Sequence, residues 1–210
     1  MPLLRFVLVC LLALPLCAQY TLEPAGACNA VGVADAVKAA LEATGHQIKD
    51  SGGAVFVEVW LRKAIPSEKP AEEPRGSDFP SLPLHGFLGV IRYAKAGGDF
   101  RGQTIAAGVY TMRFGLQPED GNHQGASPRR DHLLLVSVAA DQDPAGKPVF
   151  DAIVALSKQA SGTDHPSVLF LVAPESGAKF PSLHGGNHQV LQVKVGPMAL
   201  GITLVGKAEE

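Results

Sequence analysis

The chain has few aromatic side chains and no excess of charge of either sign. Aromatic residues make up 6% of its 210 residues, and 18 basic residues nearly balance 20 acidic ones. A chain with so little net charge has no overall positive field that would attract nucleic acid. Its aromatic residues also do not alternate with basic ones, as they do in proteins that bind single strands. The composition therefore argues against nucleic acid as a partner.

Motifs typical of several enzyme classes are missing as well. The sequence has no H-E-x-x-H zinc helix, no G-x-S-x-G nucleophile elbow and no paired-cysteine metal motif. It also lacks both glycine-rich phosphate-binding patterns, G-x-x-x-x-G-K-[ST] and G-x-G-x-x-G. A pair of catalytic carboxylates stays open, because such residues meet in space and need not be close in sequence. Whether the chain is an enzyme is therefore undecided at this level.

The one long apolar run lies at the N-terminus. Arg5 precedes the apolar residues 6–16, and the small residue Ala18 follows them, which is typical of an export signal spanning residues 1–18. The run is shorter than the roughly 20 apolar residues that a membrane-spanning helix needs. We therefore predict a periplasmic or secreted protein with no transmembrane segment in the mature chain. Lipid anchoring through Cys17 is a less favoured alternative, because the bulky Leu16 stands where a small residue is expected.

Removal of residues 1–18 would leave 192 residues with a single cysteine, Cys28. That length is enough for a core that needs no disulfide or metal, so burial of Cys28 is favoured over pairing with another chain. Residues 64–85 contain five prolines and interrupt the regular pattern. We interpret them as a long surface loop within one domain of residues 19–210. A linker after a separate subdomain of residues 19–63 is the alternative, although so short a segment would make a poor core.

Hydrophobic periodicity predicts a fold rich in strands. Apolar residues recur with helical spacing in only two places, residues 33–41 and a segment between Pro148 and Gly162. Runs that alternate or are apolar throughout predict strands at residues 47–49, 54–62, 87–93, 109–116, 133–138, 168–173, 189–195 and 200–205. We therefore predict a mainly β (α+β) fold, an antiparallel β-sandwich with two peripheral helices.

The most polar segment joins two of these apolar strands, at residues 117–132. Connecting loops on a rigid scaffold often carry function, which makes this segment a candidate binding loop. Its candidate residues are Asp120, Asn122, His123, Arg130 and Asp131. A structural explanation stands beside this one: residues 120–122 suit a tight turn, and the charged residues 129–131 suit an exposed ion pair.

A second loop, at residues 179–188, contains two histidines. Histidine is a common ligand of transition metals, so His184 and His188 together with His123 or His132 would be candidate ligands of a divalent metal. Asp120 or Asp131 would then act as a base. The spacing of these histidines is not diagnostic, and solvated or buried histidines with purely structural roles are the favoured alternative.

The central part of the chain resembles known exported proteins. Residues 102–112, GQTIAAGVYTM, are similar to a hairpin found in several uncharacterised families of exported bacterial β-domain proteins. The continuation from Leu116 to His123, with Arg130 and Asp131 before an apolar strand, resembles one of those families. The resemblance covers roughly the central third of the chain and implies export and β architecture, with no activity and no functional residue.

Taken together, these features predict an exported globular domain that needs no cofactor. It would bind a small ligand or a partner protein through its loops, or serve as a structural module of the cell envelope. The alternative is a metal-dependent enzyme that uses the loop histidines and carboxylates.

Overall fold

The structure is a computed structural model that describes residues 20–66, 68–70, 72–120, 129–185 and 188–206. The predicted export signal lies outside these ranges. Within them the helices are α1 (Asp35–Ala40) and α2 (Phe150–Ser161). The strands are β1 (Thr21–Ala25), β2 (Gly45–Lys49), β3 (Val55–Leu61), β4 (Phe87–Tyr93), β5 (Gly97–Gly98), β6 (Thr104–Ile105), β7 (Gly108–Leu116), β8 (Asp131–Ser137), β9 (Val168–Val172), β10 (Ser182–His184), β11 (Gln189–Val195) and β12 (Met198–Val205).

Ten of the strands form one antiparallel sheet in the order β1-β2-β3-β4-β7-β8-β9-β12-β11-β10. The two edge strands, β1 and β10, lie next to each other, so the sheet is nearly closed. Its two halves face each other across a common core. β5 and β6 form a separate small hairpin. The predicted mainly β, antiparallel fold with two helices is confirmed, and the layers that face each other belong to a single continuous sheet.

The main core follows from the alternation of side chains along the strands. Val57 and Val59 of β3, Leu133 and Leu135 of β8, and Leu191 of β11 all point to the same inner face and are fully buried. Successive residues of a strand point to opposite faces, so strands from both halves of the chain fill one interior. This pattern explains why the apolar runs of the sequence identify these strands.

The two helices cover the outer face of the sheet. Val37 of α1 packs with Trp60 and Phe87, and Ile153 of α2 packs with outward-facing residues of β8 and β9. α2 ends as predicted at Gly162, whose positive φ of 67° suits glycine. Among the described residues, no helix combines the length and the apolar content needed to cross a membrane.

The segment around α1 differs in detail from the prediction. α1 begins after Ala34, which makes no side-chain cap, and ends before Leu41, which is extended. Gly45 is the first residue of β2. A Cβ at this position would lie 2.4 Å from Cδ1 of Trp60, so glycine is required for the indole to pack there. The predicted helix at residues 33–41 was longer than α1 because Val33 and Leu41, which flank α1, are also buried and lie at helical spacing from its apolar residues.

The proline-rich segment packs closely on the sheet. Between Arg62 and β4, the described residues form no helix or strand of the sheet, but Phe79 and Leu82 are buried in the main core. Strands that precede and follow this segment belong to the same ten-stranded sheet. The segment is therefore a long connection, β3–β4, that lies against the protein.

Strand direction decides which connections share an end of the sheet. All neighbouring strands are antiparallel, so β3 and β7, which flank β4, run in the same direction. The β3–β4 connection and the β7–β8 connection therefore leave from the same end. The same alternation sends the β10–β11 connection to the opposite end.

Candidate functional site

Asp131 fastens the β7–β8 connection to the β3–β4 connection. It is the first residue of β8 and is fully buried. One carboxylate oxygen accepts a hydrogen bond from Ser77 Oγ at 2.6 Å, and the other accepts one from the backbone N–H of Asp78 at 2.7 Å. A buried carboxylate that accepts such bonds holds its donors firmly, because a donor that lost its partner would stay desolvated. Asp131 therefore anchors the loops from beneath and does not face solvent.

Arg130 makes a second attachment between the same two connections. Its Nε donates to the carbonyl oxygen of Gln117 at 2.7 Å, and its Nη1 donates to that of Arg75 at 3.0 Å. Its backbone N–H donates to the carbonyl oxygen of Gly76 at 3.0 Å. Its side chain also lies 3.4 Å from Glu119. One arginine thus joins both ends of the β7–β8 connection to the proline-rich segment.

Exposed charged residues of both signs surround these anchors. Arg129 pairs with Asp78 at 3.0 Å, and Glu119 and Asp120 are exposed. Asn122 and His123, the other two candidate binding residues, lie outside the described residues. We call the described part of this surface, residues 72–78, 117–120 and 129–131, the loop pair. It consists of a polar, mixed-charge rim above buried attachments.

His132, a candidate metal ligand, is largely buried on the outer face of β8. Its ring lies flat on Gly115 of β7, where a Cβ would come within 2.6 Å of Nε2. In its Nδ1–H form the ring donates to the carbonyl oxygen of Arg130 at 3.2 Å, and it packs 6.5 Å from the ring of Phe170. These contacts give His132 a structural role beneath the loop pair.

The other two described candidate metal ligands, His184 and His188, lie at the β10–β11 connection. His184 Nε2 lies 3.1 Å from a carboxylate oxygen of Glu175 in a partly exposed contact, and the ring of His188 packs 5.4 Å from Phe100. In the described part of the chain, no three or more His, Cys, Asp or Glu residues are grouped so that they could hold a metal ion. Because His123 is outside that part, the metal-site hypothesis stays a prediction.

A buried polar network that no sequence motif indicated is centred on Arg113. Arg113 of β7 is 1% exposed, and its guanidinium forms a bidentate pair with Asp141 at 2.6 and 2.7 Å. Its remaining N–H groups donate to the carbonyl oxygens of His85, Asp143 and Gly146. All five donors of the guanidinium are thus engaged within the protein.

This network fixes the connection between β8 and α2. Asp141 also accepts a hydrogen bond from Thr111 Oγ1 at 2.5 Å, so one strand holds the connection through two side chains. The alternation of β7 gave the only signal in the sequence, since Thr111 and Arg113 share a face opposite Tyr110, Met112 and Phe114. Nothing in the sequence indicates which of the many carboxylates is their partner.

His85 lies beside this network in an unusual backbone conformation. Its φ is +58°, a region that few residues other than glycine adopt, and its side chain is buried. Its Nδ1 lies 2.8 Å from the carbonyl oxygen of Pro148, and its ring packs 6.0 Å from that of Phe150. His85 therefore joins the start of β4 to the start of α2.

The chain should lose stability when the pH falls below about 6.5. Burial lowers the pKa of His85 below its ordinary value of 6.5, more than the hydrogen bond that its ring donates to the carbonyl oxygen of Pro148 raises it, and Arg113 lowers it further. Burial also lowers the pKa of His46 in β2. Below pH 6.5 the unfolded chain therefore binds protons at these two histidines that the folded chain does not yet bind. The free energy of unfolding therefore decreases as the pH falls from the ordinary pKa of histidine through the lower pKa values that His85 and His46 have in the folded chain.

Urea unfolding at about pH 7, 6 and 5 measures this effect. His85→Asn, which tolerates positive φ, and His46→Gln should each show a weaker decline of the unfolding free energy than the wild type. A decline that is equal in all three proteins would contradict the assignment to these histidines.

The described chain thus has two distinctive surfaces, the polar loop pair and the region around His85 and α2. No protein-family model, curated protein or solved structure shows significant similarity to the chain. Any proposal about its function therefore rests on its own residues.

Proposed function

We propose that the chain is an exported binding protein that recognises a partner protein through the loop pair and has no catalytic activity of its own. The observation that supports this most is the buried Asp131 carboxylate, which joins two long connections at one end of the sheet. The export signal predicted from residues 1–18 supports a binding function outside the cytoplasm.

Rigid attachment of the loops favours binding. Ordering a loop on association costs free energy, so loops that are already held by buried polar groups lose less affinity. Asp131 and Arg130 join the two connections to each other at several points. His132, the next residue of β8, contacts the carbonyl oxygen of Arg130 through its Nδ1. The exposed rim, by contrast, carries charged side chains that reach solvent and are suited to contact a polar surface.

The mixed charge of the rim indicates the kind of partner. Glu119, Asp120 and Arg129 lie within a short distance of one another in sequence and flank the same connection. A rim with both signs suits the polar edge of a protein–protein interface, where complementary charges fix orientation and specificity. A large anionic polymer would instead need a surface of one positive sign.

A capture experiment with matched variants tests this function. The processed chain is immobilised and incubated with envelope extract and a crosslinker, and the bound proteins are quantified by mass spectrometry. A rim variant replaces Glu119, Asp120 and Arg129 with serine. A control variant replaces Asp35, Glu42 and Lys38 around α1, which also removes two acids and one base. At least one protein should be enriched about ten-fold by the wild type and the control but not by the rim variant.

Two results would overturn the proposal. One is the same set of bound proteins for all three forms, because the rim would then not be the recognition surface. The other is turnover of a broad panel of hydrolase substrates well above background by the purified wild type, which would show that the chain is an enzyme.

A further inference from the structure

A cavity lies where the two edge strands of the sheet meet. β1 and β10 are close in space but stand at opposite ends of the strand order, so the described sheet has no ladder between them. The cavity has a volume of about 400 Å³ and is lined by residues 22–24, residues 44–46 and Pro181. We call it the seam cavity. Its volume is in the range of about 300–1,000 Å³ that is typical of small-molecule sites, which are frequent at the mouths of β-barrels.

The register of β1 and β2 gives the seam cavity an apolar wall. Leu22 lies opposite Ile48, and Pro24 lies opposite His46. Residues that face each other across a ladder lie on the same side of the sheet, and Ile48 is fully buried in the main core. Leu22, Pro24 and His46 are therefore on the inner side, and Pro181 forms the wall next to β10.

The cavity presents little charge. Of the described residues that line it, only Glu23 is a carboxylate or a basic residue. Alternation along β1 places Glu23 on the outer side of the sheet, where its carboxylate pairs with Lys49. An uncharged ligand is therefore favoured, because an ion would lose its hydration without gaining a partner.

His46 is the polar group on the inner side of the cavity. Its ring is partly exposed and, within the described part of the chain, forms no hydrogen bond with another residue. Burial lowers the pKa of His46, so the ring is neutral at pH 7. A neutral imidazole has one nitrogen that donates and one that accepts. A hydroxyl group matches it, since a hydroxyl can accept from the first or donate to the second.

From this juxtaposition of an apolar seam cavity with the ring of His46, we propose that the chain binds a small neutral aromatic molecule that carries a hydroxyl group. An apolar cavity of about 150 Å³ admits benzene, so a volume of about 400 Å³ is sufficient for a fused two-ring compound. The rings contact Leu22, Pro24 and Pro181, and the hydroxyl group forms a hydrogen bond with His46. A rigid aromatic ligand loses little conformational freedom on binding.

The seam cavity lies at the same end of the sheet as the loop pair. β2 is antiparallel to both β1 and β3, so β1 and β3 run in the same direction and end at the same side. The cavity nevertheless contains none of the residues of the loop pair. This inference therefore does not depend on the proposed recognition of a partner protein.

A titration followed by nuclear magnetic resonance tests the site with 2-naphthol as the probe. The backbone amides of Leu22, Thr44 and His46 in the ¹⁵N-labelled, processed chain should shift until they saturate, with a dissociation constant of about 0.1–1 mM. 2-Naphthoate has the same rings with a carboxylate in place of the hydroxyl group. It should bind at least about five-fold more weakly, because a neutral His46 does not compensate an anion for its lost hydration.

Three variants locate the binding. Thr44→Trp places a large ring in the cavity from an exposed position and should raise the dissociation constant for 2-naphthol at least about ten-fold. Ser51→Trp is the matched control, because it adds the same ring to the exposed turn at the other end of β2 and should change the constant less than about two-fold. His46→Leu keeps an apolar side chain without the hydrogen bond and should raise the constant about five-fold.

Circular dichroism and thermal unfolding confirm that each variant is folded. Saturable shifts that are confined to the lining residues and are lost in Thr44→Trp support the proposal. Several results overturn it: no saturable shift in the wild type with 2-naphthol at several millimolar, shifts confined to other parts of the chain, or equal binding of 2-naphthol by the wild type and His46→Leu.

Discussion

Replacing Arg113 with methionine is expected to lower the free energy of unfolding by about 3–5 kcal/mol, the usual cost of removing one partner of a buried ion pair. Asp141 would be left with only its bond from Thr111, the carbonyl oxygens of His85 and Gly146 would lose the guanidinium that donates to them, and that of Asp143 would keep only the N–H of Gly146. The methionine side chain replaces much of the volume, so the loss arises from unpaired polar groups and not from a cavity. Urea denaturation monitored by circular dichroism measures it.

An exposed pair provides the comparison for this prediction. Arg129→Met removes an arginine that is about half exposed and paired with Asp78, and should cost less than about 1 kcal/mol. The double variant Arg113→Met, Asp141→Leu should recover part of the loss, because it leaves no unpaired charge behind. If Arg113→Met and Arg129→Met lowered the free energy of unfolding equally, the buried network would contribute no more stability than the exposed ion pair.

Replacing Asp131 with alanine is expected to cost about 3 kcal/mol, because two hydrogen bonds to a buried carboxylate are lost. Ser77 and the backbone N–H of Asp78 would lose their acceptor while still covered by the loops. The proline-rich segment would then detach more often from the sheet. Trypsin should cleave after Arg75 at least about ten-fold faster than in the wild type, since proteolysis reports local opening.

Asp131→Asn separates the hydrogen bonds from the charge. Its carbonyl oxygen can accept from the N–H of Asp78, and its amide can donate to Ser77 Oγ, so both contacts are kept in a weaker form. It should therefore lose less than half as much stability as the alanine variant. Cleavage of Asp131→Ala at the wild-type rate would mean that Asp131 does not hold the segment.

The strands of the core were predictable because their signal is local. β4 and β11 have the bounds that alternation and apolar content indicate. The edge strands were missed for physical reasons. β1 contains Pro24 and mostly exposed residues, and β10 has only three residues, so neither shows a face that the core must bury. Short and proline-containing strands are common at sheet edges.

The contacts of the candidate site could not be read from the sequence in the same way. Asp131 was found as a polar residue in a connecting segment, but its partners Ser77 and Asp78 lie more than fifty positions earlier in the chain. An exposed ion pair with its arginine neighbours was the simplest local alternative. Only the parallel direction of β3 and β7 brings the two connections to one end, and that direction depends on the whole strand order.

Amide hydrogen exchange at Asp78 and Arg130 is the most direct measurement of the central claim, that two connections form one prearranged surface. The N–H of Asp78 donates to Asp131, and the N–H of Arg130 donates to the carbonyl oxygen of Gly76. If the loop pair is held as described, both amides exchange nearly as slowly as those of β8, through unfolding of most of the domain. Exchange at the rate of an unstructured peptide would contradict the claim, and with it the proposed recognition surface.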